Sequence, residues 1–210
     1  MIRVFSVCLC VMLAYPPGLS ADAIRHDAES SVVWLLDNLE AIAGHQVRVV
    51  GDPKVIETPL GKAIEFDGID DGIFLDVNPL AGMTAFTAEV IFNPYSDGAP
   101  EQRFYHMKED ATESRVMFET RLVDDGLWFL DTFITSGDQG TPLYASDHKH
   151  GTDSWHHAAI VMDGTSFRHY VNGELELEEK IQFQAQQAGK TSLGVRLNKV
   201  HWFKGAISTA

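Results

Sequence analysis

The chain contains 210 residues, a length typical of one domain. Hydrophobic residues make up 45% of it and charged residues 22%, a composition that excludes extensive disorder, a collagen-like repeat and a long coiled coil. Thirty Asp and Glu against sixteen Lys and Arg give a formal net charge of −14. Because so acidic a chain repels phosphate backbones and anionic lipids, we expect neither nucleic-acid binding nor membrane insertion.

Residues 1–23 have the pattern of an export signal. One arginine precedes the apolar run Val4–Tyr15, which is too short to cross a bilayer as a helix, and both cysteines of the chain lie within this run. Prolines and small residues follow, and they allow cleavage after Ala21 or Ala23. We therefore predict a cleaved signal peptide over residues 1–23, a single mature domain over residues 24–210, and a secreted or periplasmic location.

The mature segment has the pattern of an all-β domain. Short apolar or alternating stretches are separated by Asp-Gly and Asn-Gly pairs, the residue types that tight hairpin turns need. Helical periodicity is weak, and we predict only short helical turns, at Ser31–Leu39 and Gln184–Ala188. The pattern indicates a two-sheet antiparallel β-sandwich. The predicted strands are Phe86–Phe92, Arg115–Val123, Leu127–Ile134, His156–Met162, Phe167–Val171 and Glu174–Leu177.

Six segments follow one another in the order of the motifs of a known family. They are Val33–Asp37 for the opening strand, Gly61–Ile73 for the hairpin "GkAl-FdG-dDyv", Phe86–Pro94 for "fT-s-WvkP" with Phe in place of Trp, Trp155–Gly164 for "W-H-a-v-DG", Tyr170–Gly173 for "YvNG", and Leu193–Gly194 with Phe203–Ile207 for "iG…F-G-I". The chain thus resembles the laminin-G-like, concanavalin A-type jelly-roll domains of secreted bacterial proteins. The resemblance implies a concanavalin A-like jelly roll and a lectin-like function, the binding of a poly- or oligosaccharide.

The end of the chain departs from this family pattern. In these domains the strand after the last motif usually runs on for several residues and closes the sheet beside the opening strand, whereas this chain ends at Ala210. An unpaired strand edge invites pairing with other chains. We therefore expect either that the N-terminal segment covers this edge or that the closing strand is truncated.

The segment Arg115–Leu122 contains the main candidate site. A two-residue period places Arg115, Glu119 and Arg121 on one face and mainly apolar residues on the other. We predict that the charged face lies outside the core, in or beside the concave groove of the sandwich. Aromatic rings that stack on sugars, next to charged groups that bind hydroxyls or uronates, commonly form saccharide sites. A solvated cross-strand salt bridge is the alternative interpretation.

The next predicted strand supplies an aromatic neighbour, whose identity depends on the turn. A three-residue turn at Asp124–Gly126 places Phe129 and Asp131 on the charged face. A two-residue turn at Asp125–Gly126 places Trp128 there instead. Both rings are therefore candidate binding residues.

A polysaccharide-cleaving enzyme, either a lyase or a glycoside hydrolase, is a second hypothesis. Its candidate residues are His106, which suits proton transfer, together with Glu119, Arg121 and Tyr105. The sequence lacks the carboxylate spacing of jelly-roll glucanases and the R-T-E-L-R and Q-I-H strings of alginate lyases. Binding is therefore favoured over catalysis. An adhesion or partner-binding protein that uses the loops of Gly137–Gly151 is a third hypothesis.

An acidic turn is the candidate metal site. Asp67, Asp70 and Asp71 offer the hard oxygen ligands that a structural calcium ion takes. Aspartates in tight turns also accept hydrogen bonds from their own backbone, and the spacing is not that of an EF-hand loop. The turn is the favoured interpretation, and calcium is the alternative.

Overall fold

The computed structural model describes residues 31–123 and 126–210, and the predicted signal peptide lies outside this part of the chain. The described residues contain no helix that is long and apolar enough to cross a membrane. They form the strands β1 (Ala41–Ile42), β2 (His45–Gln46), β3 (Arg48–Val50), β4 (Lys54–Thr58), β5 (Gly61–Asp67), β6 (Gly72–Leu75), β7 (Phe86–Pro94), β8 (Glu101–Glu109), β9 (Arg115–Val123), β10 (Leu127–Ser136), β11 (Gln139–Tyr144), β12 (His150–Gly151), β13 (His156–Met162), β14 (Ser166–Val171), β15 (Glu174–Lys180), β16 (Gly189–Leu193) and β17 (Lys204–Thr209).

Two large sheets form the predicted antiparallel sandwich. The eight-stranded sheet has the order β11-β10-β9-β8-β16-β6-β3, with β12 beside β10. The seven-stranded sheet has the order β15-β14-β13-β7-β17-β5-β4, and β1 and β2 form a separate small ribbon. Every pairing between these strands is antiparallel. The prediction of an all-β, concanavalin A-like jelly roll is therefore confirmed.

Aromatic side chains from both sheets meet in the core. Phe92 of β7 stacks on Phe104 of β8 with 4.4 Å between ring centroids, and it contacts Trp128 of β10 edge-on at 5.2 Å. All three side chains are fully buried. Aromatic side chains bury large apolar areas, and burial of apolar area stabilises the folded state. This cluster therefore contributes strongly to the packing of one sheet on the other.

The closing strand is covered on both sides. β17 lies between β7 and β5, and its end pairs with the opening segment, because Trp34 and Ala210 exchange backbone hydrogen bonds of 2.8 and 3.0 Å. The Leu36 amide also donates to the Ser208 carbonyl at 3.0 Å. The expectation that the N-terminal segment covers this strand is therefore met by residues 34–36.

Neither predicted helical turn forms. Ser31–Leu39 forms no helix. Its side chains alternate over residues 33–36, where Trp34 and Leu36 are buried against the closing strand while Leu35 is exposed. Gln184–Ala188 is irregular, and Gln186 forms an isolated parallel bridge with Ala81. In the first segment, burial of alternate side chains outweighs the local helical preference. In the second, the bridge between Gln186 and Ala81 does so.

Candidate functional site

The structure decides which residues share the charged face of β9. Val116 and Phe118 are fully buried in the core between the sheets, so their alternating neighbours Arg115, Glu119 and Arg121 lie on the opposite face. We call this side of the eight-stranded sheet, which faces away from the seven-stranded sheet, the outer face. The prediction that the three charged residues lie outside the core is confirmed.

The register of the β9–β10 hairpin selects the aromatic neighbour. Val123 pairs with Leu127, which leaves a three-residue connection, and Phe129 therefore stands opposite Arg121. Asp131 stands opposite Glu119 in the same register. The three-residue turn is confirmed.

The two-residue turn, with Trp128 on the charged face, is wrong. The Trp128 side chain is fully buried in the core, where its Nε1–H donates to the Gly151 carbonyl at 3.1 Å. Successive side chains of a strand point to opposite faces of the sheet. Because Trp128 points into the core, it cannot contact a ligand that lies on the outer face.

Five charged side chains form a continuous network, which we call the arginine–carboxylate cluster. Arg121 donates to Asp131 through Nε at 2.8 Å, and its Nη atoms lie 2.7 Å from Glu101, 2.7 Å from Asp131 and 3.3 Å from Glu119. Arg103 lies 2.6 Å from Glu101 and 3.1 Å from Glu119. The Glu119 side chain is only 4% exposed, whereas that of Arg121 is 21% exposed. Arg121 therefore covers Glu119 and Asp131 and keeps part of its side chain exposed to solvent, whereas Glu101 is itself partly exposed.

The cluster holds more negative than positive groups. Two arginines face three carboxylates, and burial, followed by the neighbouring Asp131, raises the pKa of Glu119 to about 7. Burial also raises the pKa of Asp131. A proton retained on Glu119 balances the charge of the cluster. Near neutral pH, the ionisation of Glu119 is thus expected to change.

The exposed ring on this face is one that the sequence did not suggest. Phe129 is only 3% exposed and packs edge-on against Tyr144, with 4.7 Å between ring centroids. Tyr144, at the end of β11, is 53% exposed, and the Arg121 guanidinium lies 5.7 Å from its ring centroid. The glycine and proline of β11 are unusual in strands and hide its strand pattern in the sequence. In the structure Tyr144 is the cross-strand partner of Asp131, so its side chain lies on the outer face.

His106 and Tyr105, two candidates for catalysis, lie on opposite sides of the sheet. Tyr105 is in the core and stacks on Phe118 with 5.7 Å between centroids, so its placement beside His106 in a proton-transfer site is wrong. His106 is on the outer face but 2% exposed, and its Nδ1 accepts the Leu197 amide hydrogen at 3.1 Å. Burial, followed by Arg196 and other cations, lowers the pKa of His106 to about 3. The imidazole is therefore neutral.

The acidic turn is organised by its own hydrogen bonds. Asp67 Oδ1 accepts the amide hydrogens of Ile69 at 2.8 Å and of Asp70 at 3.2 Å. Asp71 accepts the Asp52 amide at 2.6 Å. One carboxylate oxygen of each of Asp67, Asp70 and Asp71 can lie within 4.8 Å of the others, which fits the ligand type that calcium takes. The structure shows the turn, and calcium binding stays a prediction.

A cavity of about 220 Å³ lies elsewhere on the molecule. Its walls come from β5, from the end of β17 and from the exposed Leu35. These strands belong to the seven-stranded sheet, so the cavity is separate from the outer face of the other sheet.

Solved structures with this fold include several proteins of low sequence identity. Domain 4 of AbnA, a GH43 extracellular arabinanase from Geobacillus stearothermophilus solved in complex with arabinotriose, is 18% identical with a TM-score of 0.59, over 84% of this chain and 88% of that chain. A heptameric SAP-like pentraxin from Limulus polyphemus is 15% identical with a TM-score of 0.54, over 70% and 72% of the two chains. Tailspike protein 2 of bacteriophage CBA120 is 13% identical with a TM-score of 0.57, over 78% of this chain and 27% of that chain.

At these identities the likeness concerns the fold alone. A comparison with curated protein sequences gives no significant match. The family model described as the concanavalin A-like lectin/glucanases superfamily matches residues 67–210, which is more than half of the chain. The motif order noted in the sequence and the jelly-roll topology agree with this match. The chain belongs to the laminin-G-type family of the concanavalin A-like lectin/glucanases superfamily.

Proposed function

We propose that the chain is a lectin-like, carbohydrate-binding domain that holds a poly- or oligosaccharide on the outer face of the eight-stranded sheet. The observation that carries this proposal is the exposed Tyr144 ring beside the ordered guanidinium of Arg121. An aromatic ring packs on the C–H face of a sugar, while charged groups bind its hydroxyls through strong hydrogen bonds. The arabinotriose held by the similar arabinanase domain supports a saccharide ligand for this fold.

The arginine–carboxylate cluster suits neutral hydroxyl groups. Arg121 already contacts three carboxylates, so a carboxylate of a ligand would have to compete with Glu101 and Asp131 for the same N–H groups. A hydroxyl can instead donate to a carboxylate and accept from a guanidinium without separating the ion pairs. We therefore place a neutral part of the ligand over Arg121 and Tyr144.

Retention on a panel of immobilised polysaccharides tests the proposal. Tyr144→Ala removes the exposed ring, and we expect it to abolish or strongly reduce retention on whichever polysaccharide the wild type binds. Tyr170→Ala is the matched control, because Tyr170 is a half-buried tyrosine on β14 of the other sheet. Equal retention of the wild type and both variants on every polysaccharide would contradict this assignment.

Cleavage of the polysaccharide is a second candidate, which one observation favours. A carboxyl with a pKa of about 7, as at Glu119, is suited to general acid–base catalysis near neutral pH. The same assay distinguishes the two functions: new reducing or unsaturated ends released by the wild type and not by Glu119→Gln would support cleavage. Retention without new ends supports binding.

We also propose that the domain acts outside the cytoplasm. The support is the sequence of residues 1–23, with its apolar run and the small residues at Ala21 and Ala23. Mass spectrometry of the exported protein is expected to find an N-terminus at Asp22 or Ile24. An intact segment of residues 1–23 on exported protein would contradict the proposal.

A further inference from the structure

Three cations on the outer face lie outside the arginine–carboxylate cluster. Lys108 and Arg115 are cross-strand partners in β8 and β9, and Arg196 follows the end of β16. We call these three residues the basic cluster. Arg196 directly precedes Leu197, whose amide hydrogen is donated to His106 Nδ1 at 3.1 Å, so the backbone of Arg196 lies beside this part of the outer face.

Negative charge within the protein compensates the basic cluster only in part. The exposed Glu113 carboxylate lies 3.0 Å from Lys108 and 3.3 Å from Arg115. No carboxylate of the described residues lies within 4.0 Å of the Arg196 guanidinium. Three cations therefore share one contacting carboxylate, on a chain whose net charge is −14. Such a local excess of positive charge attracts anions.

Buried hydrogen-bond donors next to the basic cluster also lack acceptors. Because His106 Nδ1 accepts the Leu197 amide hydrogen, the neutral ring carries its proton on Nε2. This Nε2 and Arg115 Nε are both buried, and neither has a hydrogen-bond partner among the described residues. Buried donors in folded proteins are normally paired, so two unpaired donors beside one group of cations indicate a place for acceptor oxygens.

We propose that the basic cluster is an anion subsite that takes a carboxylate or sulfate group of an acidic polysaccharide. The inference rests on the saccharide-binding function proposed above, and it adds the class of the ligand. An oxyanion supplies several acceptor oxygens, which suit the planar fork of a guanidinium better than a single hydroxyl does. Arg196 and Arg115 then select acidic over neutral chains, while Tyr144 contacts the sugar ring in both.

Matched polymers and matched variants test the subsite. The wild type, Arg196→Gln and Arg168→Gln are compared for affinity toward dextran, dextran sulfate and polygalacturonate. Arg168 is the control because it is an arginine of the other sheet, paired with Asp163 at 2.9 Å. We expect Arg196→Gln to weaken binding to a polyanion by about tenfold or more, the effect of losing a hydrogen bond between charged groups. Arg168→Gln and the affinity for dextran should not change.

The two polyanions identify the group that is bound. A loss confined to dextran sulfate assigns the subsite to sulfate, and a loss confined to polygalacturonate assigns it to carboxylate. Raising the salt concentration should reduce the difference between wild type and Arg196→Gln, because mobile ions screen partly exposed charges. If Arg196→Gln and the wild type bind both polyanions equally, the subsite is wrong.

A thermal measurement separates failure of the subsite from failure of the saccharide function. Sodium sulfate is compared with sodium chloride at equal ionic strength, and the sulfate-specific rise in melting temperature should be smaller in Arg196→Gln than in the wild type. An equal rise in both proteins, together with unchanged affinity for the polyanions, overturns the subsite and leaves the neutral saccharide function in place. A rise that depends on Arg196, without retention on any polysaccharide, supports an anion site and contradicts the saccharide function.

Discussion

The ionisation of Glu119 links the outer face to the stability of the fold. Its carboxyl is held by Arg103 and Arg121, but burial and Asp131 raise its pKa from 4.5 to about 7. The folded protein therefore binds this proton more tightly than the unfolded chain does. Between pH 4.5 and 7 the contribution of Glu119 to stability must fall as the pH rises.

Glu119→Gln should remove this pH dependence. We expect the free energy of unfolding of the variant, relative to the wild type, to rise by up to about 3 kcal/mol between pH 4.5 and 7.5, since one pKa unit corresponds to about 1.4 kcal/mol. Urea unfolding of both proteins at a series of pH values measures this difference in the free energy of unfolding. Glu113→Gln is the control, because Glu113 is 74% exposed on the same face. Parallel pH profiles for the wild type and Glu119→Gln would show that the pKa of Glu119 is not raised.

At the scale of single strands, the sequence predicts those that alternate regularly. Arg115–Val123 and His156–Met162 have the predicted bounds, because each strand keeps one face in the core throughout. β8 was not predicted: a bulge between Arg103 and Tyr105 interrupts its alternation. The sequence also leaves open which of Trp128 and Phe129 lies on the outer face. A turn that is one residue longer or shorter exchanges the faces of the two side chains.

A second element-scale feature is a bridge of four side chains that joins the two sheets. Glu176 of β15 contacts His150 of β12 at 2.6 Å and His169 of β14 at 3.4 Å. His169 in turn hydrogen-bonds to Thr132 of β10 at 2.8 Å. Burial acts to raise the pKa of Glu176, but the hydrogen bond from His150 and the proximity of His169 outweigh it and lower that pKa. The bridge therefore stabilises the fold above the pKa of an unfolded glutamate and loses its effect as the pH falls.

Glu176→Gln should weaken this connection. We expect a loss of roughly 1.5–3 kcal/mol in the free energy of unfolding at neutral pH, the range for hydrogen bonds to charged groups, and a smaller loss below about pH 4. Chemical unfolding at the two pH values measures both. Glu174→Gln, on the exposed part of the same strand, should have little effect. A loss that is the same at both pH values would refute the role of the ionised carboxylate.

The acidic turn between β5 and β6 gives a prediction for calcium. The carboxylates of Asp67 and Asp71 already accept backbone hydrogen bonds, so we expect millimolar calcium to change the melting temperature little. Differential scanning calorimetry with calcium, and with magnesium as the control, measures it. A rise of several degrees that is specific to calcium would establish a bound ion, since a ligand that binds only the folded state stabilises it.

At the scale of the whole molecule, charge is distributed unevenly. The chain has a net charge of −14, yet the outer face of one sheet collects Arg103, Lys108, Arg115, Arg121 and Arg196. Composition argues against nucleic acid and anionic lipid, but it averages over the surface. The topology brings β8, β9 and the loop after β16 together, and their cations make part of this face basic.

The two ends of the domain stabilise each other, and this gives the last prediction. Trp34 is 2% exposed, lies 6.3 Å from the ring of Tyr105, and exchanges backbone hydrogen bonds with Ala210. Trp34→Ala keeps those backbone bonds and removes only the buried ring. Large-to-small substitutions of buried aromatic residues cost roughly 3–5 kcal/mol, so the melting temperature should fall clearly.

Val33→Ala is the control for this substitution, because Val33 is the preceding residue and is 61% exposed. Its melting temperature should stay close to that of the wild type, since surface substitutions change stability by less than about 0.5 kcal/mol. If the opening segment is part of the same cooperative unit, circular dichroism and tryptophan fluorescence should report one unfolding transition in both variants. Two separate transitions, or equal melting temperatures for Trp34→Ala and Val33→Ala, would show that the opening segment contributes little to the stability of the sandwich.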